Sequence, residues 1–215
     1  MIPLLHDFSD ETVLVFGGGP VGARKARRFA PEAEVVVVSP AFADRDFGGA
    51  ELVRAAPEPD AVHSWVTRTA PALVVVATDD AAVNDAAEAA AREAGALVNR
   101  ADDYSDDGFG NVVVPATVRD DPVVVALATG GTSPALSKYL RESFEAEFEH
   151  VGAMAELTGQ LRTELQTTDM SPTERRDAVR TVVRSDAVWK ALDSGRSKAH
   201  QVVADVIGYQ MGDTS

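Results

Sequence analysis

The sequence predicts an α/β fold: a parallel β-sheet with helices on both faces over roughly the first half of the chain, then a mainly helical remainder. Three observations carry this. "TVLVF" (12–16), "EVVVV" (34–38) and "ALVVVAT" (72–78) are short, nearly unbroken apolar runs, the pattern of strands buried on both faces. Helix-forming stretches separate them through short connections, as parallel strands require. Beyond residue 111 the pattern changes to a hairpin signal followed by two capped helix starts.

Element by element, the first strand runs into a glycine cluster, and a helix is expected from Val21 to Ala30, stopped by Pro31. The second strand follows at 34–38. Residues 41–71 carry mixed signals, with a short strand at Leu52–Arg54. After the third run, the Ala-rich "NDAAEAAAREAG" (84–95) reads as a helix ended by Gly95, and "ALVN" (96–99) as another strand. In "NVVVPATVRDDPVVVALAT" (111–129), two strand-like runs flank the turn signal "RDDP" and predict an antiparallel hairpin. A long helix is expected through "SPALSKYLRESFEAEFEHV", with Ser133 as N-cap and Pro134 at its first position. "SPTE" (171–174) announces a further helix with a capping box closed by Glu174.

Composition excludes several classes. There is no cysteine, so disulfides, Cys-ligated zinc and thiolate catalysis are ruled out. A net charge of −14 and a pI near 4.6 argue against a nucleic-acid binder, which needs a basic face. Only four of the 20 cations are lysine, against 34 carboxylates, a balance suited to a salt-rich interior that screens charge repulsion. The start "MIPLLHDFSDE" lacks the basic and apolar stretches of a signal peptide, and no apolar run reaches membrane-spanning length, so a cytoplasmic protein is expected. His6, His63, His150 and His200 are scattered without ligand spacing, and no resident metal is expected.

Gly17, Gly19 and Gly22 satisfy G-x-G-x-x-G between a strand and a helix, the context in which that spacing binds dinucleotides. The glycines permit the tight turn, the backbone approach to a pyrophosphate and close helix packing in a Rossmann-like sheet. Pro20 and Val21 open the helix whose N-terminus would face the phosphates. The acidic residue that usually ends the second strand and holds the ribose is absent; Ser39, Pro40 and Ala41 stand there, leaving the choice between NAD and NADP open at this position.

"GGGPVGARKARRFA", "VVVATDDAAVN", "VNRADD" and "ATGGTSPALSKYLRE", in this order, make the sequence resemble the siroheme synthase family, and within it the precorrin-2 dehydrogenase and sirohydrochlorin ferrochelatase module without the methyltransferase domain. Arg24 and Lys25 after the third glycine, and Thr78-Asp79-Asp80 followed by Asn84, carry much of the likeness. The resemblance implies a Rossmann domain (1–112), a small dimerisation segment (113–148) and a helical C-terminal domain (149–215). It implies a homodimer that oxidises precorrin-2 to sirohydrochlorin with NAD, and in many members then inserts ferrous iron, a substrate rather than a resident metal. The alternatives are a member with dehydrogenase activity only and a non-catalytic NAD-binding sensor.

On the family pattern Asp102, three residues after Asn99, is the catalytic acid-base, although Tyr104 replaces a proline often found beyond it. Thr78 and Asp79 would join the cofactor site at a strand end. "TGGTSP" offers Thr129, Gly130, Gly131, Thr132 and Ser133 at a helix start for a substrate carboxylate. A tetrapyrrole with eight carboxylates needs local cations on an acidic protein, and Arg100, Arg119, Lys138 and Arg141 flank these motifs.

Overall fold

The computed structural model describes residues 2–100 and 112–209. The chain divides into two compact units, Met1–Val114 and Pro115–Ser215.

In the first unit, β1 (Thr12–Phe16), β2 (Glu34–Ser39), β3 (Glu51–Arg54), β4 (Leu73–Val76) and β5 (Leu97–Arg100) form one parallel sheet in the order β3-β2-β1-β4-β5. Successive side chains alternate between its faces. Val13 and Val15 pack with Val35, Val37, Val75, Ala23 and Ala26 beneath α1 (Pro20–Phe29). Leu14 and Phe16 pack on the opposite face with Val38, Val74, Val76, Val62 and Ala87. That face is covered by α2 (Pro59–Thr69) and α3 (Ala81–Glu93). Both faces are thus closed, which is why the strands read as continuous apolar runs; each fully buried valine contributes about 1.5–3 kcal/mol.

The order places a switch between β1 and β4: the chain winds outward through β2 and β3 on one side and through β4 and β5 on the other. In such sheets ligands bind outside the carboxyl ends of the strands at that switch.

The second unit opens with the expected hairpin, β6 (Ala116–Asp120) and β7 (Val123–Leu127), paired antiparallel about Asp121-Pro122. Next come α4 (Pro134–Glu147), α5 (Val151–Leu165), α6 (Pro172–Val183), α7 (Asp186–Leu192) and α8 (Arg196–Ile207). Leu157, Leu161, Leu165, Val182, Val188, Ala199 and Val203 form the core of the last four helices. The capping box at Ser171 and Glu174 is made, and the Ser171 hydrogen bonds hold the Glu174 carboxyl below its usual range.

Two elements differ from expectation. Helix α2 occupies part of the stretch with mixed signals; Pro59 at its start and Val62 and Val66 on its buried side are the cues. The helix expected through His150 instead breaks into α4 and α5. His150 adopts a left-handed conformation (φ 63°), and the Gly152 amide donates to Asp120 Oδ2 at 2.8 Å. A side chain at Gly152 would collide with the Asp120 and Asp121 carbonyls. The hairpin therefore supplies the cap that starts α5, a contact across 32 residues that helix periodicity does not reveal.

Candidate functional site

The glycine turn joins β1 to α1 at the carboxyl edge of the sheet. Gly17 has φ 116°, and a Cβ there would strike the Ala77 carbonyl at the end of β4. A Cβ on Gly22 would strike the Gly17 carbonyl, and one on Gly18 the Ala41 carbonyl and the Phe42 ring. The turn is therefore pressed against the ends of both β2 and β4. Gly19 is the exception, with nothing within 4 Å of a Cβ position, so its backbone faces open space. No side chain caps α1 and no acidic residue lies in its first turn. The amides of Val21 and Gly22, which follow the N–H-less Pro20, have no side-chain cap at the positive end of the helix. This cradle fits a dinucleotide pyrophosphate: backbone donors, an open approach at Gly19 and no competing carboxylate.

Around the turn, the other cofactor candidates gather at the same edge. Ser39 ends β2, is buried, and donates its hydroxyl to the Ala41 carbonyl at 2.8 Å; Pro40 and Ala41 are exposed. Thr78 follows β4. Its hydroxyl donates to Asn84 Oδ1 at 2.5 Å, and Asn84 Nδ2 returns a bond to the Thr78 carbonyl at 3.0 Å. Asp80 caps α3 by accepting from the Ala82 and Val83 amides, at 2.9 and 3.1 Å. The "TDD…N" signature is thus the lock of the β4–α3 turn, and Asp79 stands exposed on it.

Lys25 and Asn99 form the contact that sequence reasoning did not pair. From the second turn of α1, Lys25 Nζ donates to Asn99 Oδ1 on β5 at 2.7 Å, and Asn99 Nδ2 donates to the Val112 carbonyl at 3.0 Å. Burial, reinforced by the charges of Arg24 and Arg28, lowers the Lys25 ammonium to about 8. The sequence cue was that both residues lie within motifs; their pairing across 74 positions needs the folded sheet.

Arg100, at the end of β5, turns toward α3. It donates to Asp85 at 2.8 Å and Glu88 at 2.9 Å and is 12% exposed. Burial raises the Glu88 carboxyl, but hydrogen bonds from Arg100 and Arg92 outweigh it and keep Glu88 below its usual range. Asp102, the expected acid-base, lies outside the described residues.

In the second unit, the residues expected to meet substrate cluster at the start of α4. Thr129 Oγ1 donates to the Ser133 carbonyl at 3.0 Å and lies 2.9 Å from Ser137 Oγ. Ser133 caps the helix by accepting from the Leu136 amide at 3.3 Å. Gly130 and Gly131 adopt left-handed conformations and, with Thr132, face solvent. Lys138 is exposed and 3.8 Å from Glu142, Arg141 pairs with Glu145 at 2.6 Å, and Arg119 is exposed on β6. Among the described residues there is no cluster of His, Asp and Glu able to hold a metal, and no helix long and apolar enough to cross a membrane.

Residues 4–116 match the protein family described as "Putative NAD(P)-binding". A precorrin-2 dehydrogenase from Methanosarcina barkeri is 30% identical over 206 residues, covering 92% of this chain and 89% of that protein. A siroheme synthase 1 from Aeromonas salmonicida is 32% identical, covering 96% of this chain but 44% of its own length, so the chain spans less than half of that relative. The solved structure of SirC, a precorrin-2 dehydrogenase, superimposes with a TM-score of 0.67 over 97% of this chain at 22% identity, a likeness of fold. The dinucleotide cradle at β1–α1 and the match along nearly the whole length of the M. barkeri protein together place this chain in the family of precorrin-2 dehydrogenases and siroheme synthases.

Proposed function

We propose that this chain dehydrogenates precorrin-2 to sirohydrochlorin with NAD as acceptor. The observation that carries the reading is the glycine cradle in a chain matched over 89% of the M. barkeri precorrin-2 dehydrogenase. Bound NAD supplies the hydride acceptor. The chain must hold the macrocycle with its reacting carbon facing that acceptor and remove a proton from the ring. Asp102 is the base in this reading, two residues beyond the carboxyl end of β5, where parallel sheets place ligands. Three residues before it in sequence, the Asn99 side chain is held by Lys25. Gly130 and Gly131, ahead of α4, offer backbone donors to a substrate carboxylate, and Thr132, whose amide donates to the Thr129 carbonyl at 3.1 Å, offers its exposed hydroxyl. Thr129 and Ser133 hold that turn, and Lys138 adds positive charge one turn on.

The working unit in this reading is a cytoplasmic homodimer. Helix α4 has no buried residue, and Leu136, Tyr139 and Leu140 are 46%, 64% and 40% exposed. An amphipathic helix left this bare is covered by a partner, and an apolar patch of this kind suits a second copy. Ferrous iron insertion is the second activity we assign, carried by the likeness to siroheme synthases; there iron is a substrate, and the two pyrrole protons it displaces need the same carboxylate.

The test supplies enzymatically generated precorrin-2 and NAD to the full chain in molar salt and follows the sirohydrochlorin absorbance, with and without ferrous iron. Product should accumulate, the D102N variant should lose at least about 100-fold in rate, and iron should then shift the spectrum to that of the metallated ring. Unchanged precorrin-2 with bound NAD would overturn the enzyme reading in favour of a sensor. Sirohydrochlorin that iron leaves untouched would remove the chelatase.

A further inference from the structure

The ribose end of the cradle carries a feature that the dehydrogenase reading does not use. In dinucleotide-binding sheets, an acidic residue at the end of the second strand accepts from the adenosine 2′-hydroxyl and repels a phosphate placed there, whereas a nearby arginine accommodates a 2′-phosphate. Here β2 ends in Ser39, and Pro40 follows without any side-chain acceptor or N–H. The Ser39 hydroxyl is directed to the Ala41 carbonyl. Next to it, at the end of the neighbouring strand, stands Arg54, whose Cα is the register partner of Ser39.

Two contacts hold Arg54 over this position. Its Nη1 donates to the Pro40 carbonyl at 2.9 Å, so the guanidinium reaches from β3 across the end of β2. Its Cζ lies 5.6 Å from the centre of the Phe42 ring, a cation–π contact. The segment bearing both anchors is tied to the glycine turn: the Ala43 amide donates to the Gly18 carbonyl at 2.8 Å, and Gly18 packs too closely on Ala41 and Phe42 to carry a side chain. The pyrophosphate cradle and the Arg54 head group are therefore parts of one rigid corner. Among the described residues no carboxylate pairs with Arg54. The Pro40 bond uses one of its five N–H donors.

We propose that Arg54 is the specificity-determining residue for the adenosine 2′ position and that it admits a 2′-phosphate, so that this site takes NADP as well as NAD. The inference rests on the dinucleotide reading of the glycine turn. A 2′-phosphate beside Arg54 meets a planar cation presenting paired donors and no acid to repel it. The 2′-hydroxyl of NAD meets the same group as a single neutral acceptor. The acidic surface elsewhere makes this local arginine decisive for any doubly charged group at the ribose.

The experiment uses the full chain at one fixed salt concentration and titrates NAD, 5′-AMP and 2′,5′-ADP by calorimetry, with R54A and R54E beside the wild type. Wild type should bind 2′,5′-ADP more tightly than 5′-AMP by about tenfold or more, as expected for a charge-assisted phosphate contact. R54A should erase that difference while changing 5′-AMP affinity less than about threefold, and R54E should reverse it. Arg54 is exposed, and unchanged thermal unfolding of both variants checks that the fold persists. Wild type that binds NAD but prefers 5′-AMP, or R54A that keeps the preference for 2′,5′-ADP, overturns the assignment to Arg54 and leaves the dinucleotide reading standing. No binding of NAD or either nucleotide overturns both.

Discussion

The two compact units solve the problem of burial in different ways. In Met1–Val114 the apolar strands are covered on both faces, and Val13, Leu14, Val15, Val37, Val74, Val75 and Val76 are wholly inaccessible. In Pro115–Ser215 the hairpin and α4 hold a single buried hydrophobic, Val118, among their residues, and only α5 to α8 enclose a core. Among its described residues the first unit closes both faces of its sheet, and its functional edge is built from backbone held by close contacts. The second begins with elements whose apolar faces remain bare. A cofactor needs a rigid cradle, while the bare apolar face of α4 is the one that the proposed homodimer would cover.

The largest way to break this contrast is a side chain in the cradle. G22V drives Cβ into the Gly17 carbonyl and should cost more than about 3 kcal/mol or abolish NAD binding outright, read by calorimetry and denaturant unfolding. A cavity in the other core is the matched test. Leu161 is fully buried among α5 to α8, so L161A should cost about 2–5 kcal/mol and appear as a transition that NAD does not shift if the units unfold separately. A single joint transition, stabilised by NAD, would show that the units share their stability.

A smaller effect on stability, but a large one on assembly, is expected from Y139E with L140E on α4. These side chains are exposed, so unfolding should move by less than about 1 kcal/mol while sedimentation shifts from dimer to monomer. A monomeric wild type would end that reading.

The last test is graded rather than all-or-none, a pH dependence of stability in the first unit. Lys25 is lowered from 10.5 to about 8 in the folded chain, so between these values the unfolded chain holds the proton that the folded one has released. Stability must therefore rise with pH across that window. The penalty for the charged form, up to about 3 kcal/mol, is full below pH 8 and vanishes above 10.5. Denaturant unfolding of wild type and K25M at pH 7.5, 9 and 10 should show the wild type gaining on the variant. Parallel curves would mean that Lys25 keeps its proton.

Much of the first unit was legible in the chain. "TVLVF", "EVVVV" and "ALVVVAT" announced β1, β2 and β4 because strands covered on both faces need no polar positions. Gly17 and Gly22 announced the turn because only glycine tolerates the contacts found there. Helix α2 was obscured because Trp65 and Val66 share it with His63, Arg68 and three threonine or serine residues, diluting the apolar period. The break before α5 was hidden because its cap, Asp120, is distant in sequence. At the site, the pairing of Arg100 with Asp85 and Glu88 was not legible either, since those carboxylates lie 15 and 12 positions away on α3.

By itself, then, the sequence determined the parallel α/β sheet, the glycine turn at its edge, the hairpin and the capped starts of α4 and α6. These are local matters of period, backbone freedom and capping, readable within a few residues. Only the tertiary structure decided which side chains meet: Lys25 with Asn99, Asp120 with Gly152, and Arg54 with Pro40 and Phe42 at the end of β2. Those pairings depend on strand order and register, which bring distant positions to one edge, and no local pattern encodes them.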